Sequence, residues 1–163
     1  RTLNYDIRNY KSLQMFIHAE SQLAADGDVV AILRIGTDLE NNFYQYEIPL
    51  SLTPYGTADA TSIWPTINEM NIELEEFYRL KLNRELNGGT STSYYAEVMP
   101  NGHKISVVGL PDLSNVRTVL LGIMNAENST QEKLCAEVWY NELITLDPIR
   151  GMLLLIYQCY SYL

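Results

Sequence analysis

Asp26, Asp28, Asp38, Glu40 and Glu142 put carboxylates where loops are expected, and hard oxygen donors converging from several loops are what a calcium ion takes. No EF-hand spacing orders them, so solvated loop acids are the competing reading. Trp64, Tyr44, Tyr46 and Trp139 are candidates of a second kind. Flat rings exposed on one sheet would stack on a sugar or hold a partner, while core packing and strand propensity explain the same rings equally well. Trp64, beside Pro65, would either anchor its loop or present a stacking surface. Cys135 and Cys159 are too few for a disulfide framework and have no metal-ligand spacing, although one bridge between them stays open. His18 and His103 are isolated in the sequence; His18 is expected at the surface and His103 in a turn.

Catalytic motifs with a mechanical reason are missing from the sequence. There is no Gly-x-Ser-x-Gly elbow, phosphate loop, His-Glu-x-x-His helix or paired Cys-x-x-Cys. Sequence spacing cannot select two acids as a glycosidase pair. The expectation is a protein that is not an enzyme. Lysine and arginine number 11 against 20 acids, for a formal charge of -9, which argues against binding nucleic acid through bulk electrostatics.

The elements that must position these groups read as short strands. Val29–Ile35 and Phe43–Leu50 form a central pair, and in the second run Tyr44, Tyr46, Ile48 and Leu50 share one face while Gln45 and Glu47 share a wet one. Leu13, Met15, Ile17 and Ala19 alternate with Gln14, Phe16, His18 and Glu20, as in a half-buried strand. Residues 51–68 read as a long surface connection. A helix follows from Leu74 to Leu86, stopped by Asn87-Gly88-Gly89 and supported by a Glu75–Arg79 pair four residues apart. Tyr94–Val98 and Lys104–Val108 flank an Asn101-Gly102 turn. The apolar run Val116–Met124 reads as a central strand with both faces covered, and Cys135–Leu146 as the last firm strand. Asn128-Ser129-Thr130 is a sugar acceptor only in a glycosylating compartment.

Short alternating runs separated by turns, with no βαβ rhythm, predict a mainly β fold: a jelly-roll-like antiparallel β-sandwich with one inserted helix. Residues 1–146 form that domain. Residues 147–163 are a divergent apolar segment expected to pack on it. With its opening at Arg1, with neither an initiator methionine nor a signal peptide, the sequence reads as a piece of a longer protein.

Two resemblances extend this reading. Ala136-Glu137-Val138-Trp139-Tyr140-Asn141-Glu142-Leu143 and the Phe43–Leu50 strand resemble the architecture of carbohydrate-binding modules, with Asn141 standing where such modules often have an aspartate near a structural calcium. A closer resemblance is to the SprA/Sov family of outer-membrane proteins in gliding motility and type IX secretion of Bacteroidota. It is carried, in order, by Arg1-Thr2-Leu3-Asn4-Tyr5-Asp6-Ile7-Arg8, Met15-Phe16-Ile17-His18-Ala19-Glu20, Asp26-Gly27-Asp28-Val29-Val30-Ala31, Phe43–Leu50, Ile63-Trp64-Pro65 and Ala136–Leu143. The resemblance implies a soluble, non-catalytic segment of a cell-surface translocon, with other secretion or motility proteins or exported cargo as partners. It implies no catalytic residues and no ligand residues. Asp147–Leu163 departs from the family pattern.

Overall fold

The computed structural model describes residues 5–127, 129, 135–146 and 158–161. In chain order the elements are β1 (Ser12–Glu20), β2 (Val29–Gly36), β3 (Phe43–Pro49), α1 (Ala60–Ile63), a 3-10 turn at Thr66–Asn68, β4 (Glu69–Glu73), α2 (Leu74–Leu86), β5 (Tyr95–Val98), β6 (Lys104–Val108), β7 (Thr118–Asn125), β8 (Glu137–Leu146) and β9 (Gln158–Ser161). They build two antiparallel sheets, β4-β1-β8-β9 and β5-β6-β3-β2-β7. The sheets share one apolar core, fed by alternate residues: Leu13, Met15, Ile17 and Ala19 from β1, Ala31, Leu33 and Ile35 from β2, and Val138 and Tyr140 from β8. The mainly β fold read from the sequence is therefore the fold of the chain.

The helix α2 spans the predicted residues and turns Phe77 and Leu80 into the core, where the Phe77 ring lies 4.7 Å from that of Tyr44. Its salt bridges differ from the expected pair. Arg79 reaches Glu76, one helical turn back, at 2.6 Å and Glu97 of β5 at 2.9 Å, so it ties the helix to the sheet instead of bonding Glu75. The long connection 51–68 holds the one-turn helix α1, capped by the Asp59 carboxylate accepting from Ser62 N, and the 3-10 turn.

Three expectations are corrected. The Val116–Met124 run yields β7, which stands last in the order of its sheet; Val119, Leu121 and Ile123 pack on the core, and Leu120, Gly122 and Met124 line the opposite face only half-buried. Its continuous hydrophobicity reflects an apolar outer face, not a central position. Gln45 and Glu47 are not on a wet side either: they are 8 % and 6 % exposed. Neighbouring strands shield and satisfy them. Arg34 of β2 donates to Gln45 Oε1 at 2.8 Å and stacks 3.9 Å over the Phe43 ring, Gln45 Nε2 donates to Glu47 at 2.8 Å, and Lys104 of β6 lies 3.4 Å from Glu47. His18, the third, is buried, for reasons given below. Arg1–Asn4, Asn128 and residues 147–157 lie outside the described residues, as do the side chains of Glu142 and Cys159; the β9 backbone pairs antiparallel with β8.

His103 is the second buried histidine. Tyr46 Oη lies 2.6 Å and Asn101 Nδ2 3.1 Å from its Nδ1, so a proton at Nδ1 would face an amide donor. Burial pushes its pKa below the ordinary value of 6.5, a bond to the Ile67 carbonyl opposing the shift. The unfolded chain then binds the proton more readily than the folded one, so stability is full above the unfolded value and falls as pH drops below about 6.5. Denaturant midpoints measured across this range should decline on acidification, and His103→Gln should flatten that limb of the curve.

Candidate functional site

Tyr44 and Tyr46 alternate with the polar residues of β3 and so point between the sheets. They are 1 % and 0 % exposed, Tyr44 against Phe77 and Tyr46 against His103, and neither ring has a face for a ligand. Burial in an apolar setting raises the Tyr44 hydroxyl well above its ordinary range. The two tryptophans, in contrast, both stand beside His18, Trp139 as its cross-strand partner and Trp64 against its ring.

The register of β1 on β8 sets this face. His18 stands opposite Trp139, Phe16 opposite Asn141 and Glu20 opposite Glu137, while on the other side Phe16 stands opposite Glu69 of β4. Trp139 is 46 % exposed and Phe16 38 %, and the Trp139 indole N–H donates to Glu137 Oε1 at 2.7 Å. His18 lies between them and Trp64. Its Nδ1–H donates to the carbonyl of Ile63 at 2.7 Å, and its ring meets the edge of the half-buried Trp64 ring at 5.9 Å. The connection through Thr53, α1 and Trp64 thus folds over His18, which explains why a residue on the mixed face of β1 is buried; Thr53 Oγ1 donates to Ser62 O at 2.9 Å and holds the connection closed. Glu20 sits 3.7 Å from His18 Nε2.

The result is a strip of aromatic surface, Phe16 and Trp139, bordered by Glu20, Glu69 and Glu137. Its rings can give a partner large rigid contact area, and the carboxylates favour cationic groups beside them. Sequence reasoning singled out Trp64 and Trp139 but missed Phe16 and His18. An aromatic ring on the mixed face of β1 was the available signal for Phe16; nothing short of the β1–β8 register brings His18 to Trp139.

The loop acids do not converge. Asp26 accepts from Leu52 N at 2.7 Å and Ser51 Oγ at 3.1 Å, Asp28 accepts from Ala25 N at 2.9 Å, and Glu40 is exposed. The Asn42 side-chain amide and backbone N–H groups of the β2–β3 turn hold the Asp38 carboxyl down to about 2, which makes it a turn former. Among the described residues no group of three histidine, cysteine, aspartate or glutamate side chains could hold a metal ion, and the Glu142 side chain lies outside them. Cys135 is an exposed free thiol.

Trp64 and Trp139 should separate by variant. Trp64→Ala should cost about 1–3 kcal/mol of stability because it unpacks the connection from His18, and Trp139→Ala should stay within about 0.5 kcal/mol, as an exposed ring does. Urea unfolding of both variants checks this.

Among the described residues no helix is long and apolar enough to cross a membrane. No curated protein matches the chain. A family model described as motility related/secretion protein, SprA_N, matches residues 1–155, which runs past Leu146 into the segment read as divergent. This chain belongs to the SprA_N family of motility-related and secretion proteins.

Proposed function

We propose that this chain is a non-catalytic interaction module of a protein-export and motility machine at the outer membrane, and that it meets a partner protein or passing cargo through the Phe16–Trp139 face. Family membership over residues 1–155 supports the secretion and motility setting. The observation that carries the role of this face is the exposed Trp139 indole, fixed by its bond to Glu137 and lying beside Phe16 on a sheet whose other side is core. Binding hot spots are enriched in tryptophan held rigidly on a scaffold, because little side-chain freedom is lost when the partner arrives. Acidic residues around the strip favour a partner segment carrying lysine or arginine. The same rings could stack on a glycan, as in a carbohydrate-binding module, and the experiment separates the two.

A photo-crosslinking residue placed at Phe16 in the full-length native protein should give an adduct with another component or an exported protein, one that is lost in the Trp139→Ala background. The same probe at Tyr78, an exposed ring on α2, should not give it. Equal adducts at both positions would remove the role assigned to this face. Micromolar binding to a polysaccharide, abolished by Trp139→Ala, would replace the protein partner with a sugar.

A further inference from the structure

On the outer face of the five-stranded sheet, the hydrogen-bonded layer of Gln45 and Glu47 ends at a depression of about 290 Å³. Cross-strand register builds it. Glu47 of β3 stands opposite Lys104 of β6, which stands opposite Val98 of β5; in the next row Pro49 stands opposite Val30 of β2, and Val30 opposite Met124 of β7. All six line the depression, and Gly102 of the β5–β6 turn and Glu127 beyond β7 stand at its rim. Val98 is 73 % exposed and Glu127 is exposed too, so the depression is open to solvent without any movement of the chain.

The charges that line it do not balance. Two carboxylates share one ammonium: Lys104 Nζ lies 3.4 Å from Glu47 Oε2 and 3.9 Å from Glu127 Oε1. Glu47 accepts from Gln45 at Oε1, while the Lys104 approach at Oε2 is longer than the roughly 2.7–2.9 Å of a charge-assisted hydrogen bond. Oε2 therefore has room for a closer donor. Between the two acids the floor is apolar, made by Val30, Pro49 and Met124, so the occupant that suits both parts carries a cationic head on an aliphatic stem. The chain already seats one such group on this face. Arg34 stacks over Phe43 and donates to Gln45, two residues along β3 from Glu47. A guanidinium is more weakly hydrated than an ammonium and offers its protons as a fork, which fits it better than lysine to a carboxylate as buried as Glu47.

We propose that this depression is a binding site for an arginine side chain of a partner protein. The stem lies along Val30, Pro49 and Met124 beside the Val98 wall, and the guanidinium bridges Glu47 Oε2 and the Glu127 carboxylate. Lys104 stays with the same two acids, and the arriving charge neutralises the one net negative charge of the lining. This site lies on the other sheet from the Phe16–Trp139 strip and stands or falls independently of it.

The test follows the backbone amide resonances of Gly102, Lys104 and Glu127 by NMR while Nα-acetyl-arginine amide, or its uncharged counterpart Nα-acetyl-citrulline amide, is added at matched ionic strength. The arginine probe should shift all three in a saturable way, and the citrulline probe should not. Glu47→Gln and Glu127→Gln should each weaken the arginine probe by about tenfold, the loss of a hydrogen bond to a charged group, whereas Glu85→Gln, an exposed acid on α2, should leave its affinity unchanged. Since Glu47 is buried, the Glu127→Gln arm carries the test if Glu47→Gln disturbs the fold; the exposed Glu127 should be replaceable without moving the thermal midpoint. Resonances that do not move, a citrulline response as large as that to arginine, or an affinity unchanged by Glu127→Gln would overturn the site.

Discussion

A strand buried on both faces has to settle every polar group it carries inside the protein, and β3 is that strand. Residues Phe43 to Ile48 are all buried. One side of β3 gives Tyr44, Tyr46 and Ile48 to the core, and the other gives Phe43, Gln45 and Glu47 to a hydrogen-bonded layer. Because β3 pairs with β2 on one side and β6 on the other, Arg34 and Lys104 arrive from opposite directions to meet that layer. Removing either cation would strand a largely buried Gln45 or Glu47, a heavier penalty than losing an exposed ion pair.

That settled strand gives the rest of the molecule a firm base. The inner row of β3 packs against β1 residues that alternate with Phe16 and His18, so the rigidity of the core is passed through a single strand to the outer face that carries Trp139. The 53–64 connection adds to this by closing over His18. The chain thus presents its aromatic strip on the paired strands β1 and β8, with the carboxylates of Glu20, Glu69 and Glu137 fixed around it by register. At the other sheet, the end of α2 and the turn after β6 enclose Arg84. The two regions differ in kind, one an exposed apolar surface with acidic borders, the other a buried cation held by the backbone carbonyls of Ser93 and Gly109.

Much of the fold was legible because its signals are local. The alternation of Leu13, Met15, Ile17 and Ala19 gave β1, and the Leu74–Leu86 spacing with the Asn87-Gly88-Gly89 stop gave α2 to the residue. What escaped depends on pairs far apart in the chain. His18 looked exposed because nothing in its own strand announces that Ile63 and Trp64 will cover it. Gln45 and Glu47 looked wet because their partners, Arg34 and Lys104, lie 11 and 57 residues away. The β7 run looked central because hydrophobicity alone does not distinguish a covered face from an exposed apolar one. Tyr44 and Tyr46 show the same limit from the other side: their period-two placement with Ile48 and Leu50 already pointed inward, and choosing them as binding rings set residue type above position.

The strand order also fixes a sequence of events during synthesis. β1 pairs with β4 and β8, whose register partners begin about 50 and 120 residues further on, whereas β2 and β3 find each other across a six-residue turn. A ribosome releases these pieces tens of residues apart, and distant pairings form late because closing long loops comes before their reward. While it waits for β8, β1 keeps an open edge with Phe16 and His18 on it. That delay keeps half of the sandwich unassembled until the far end of the chain arrives.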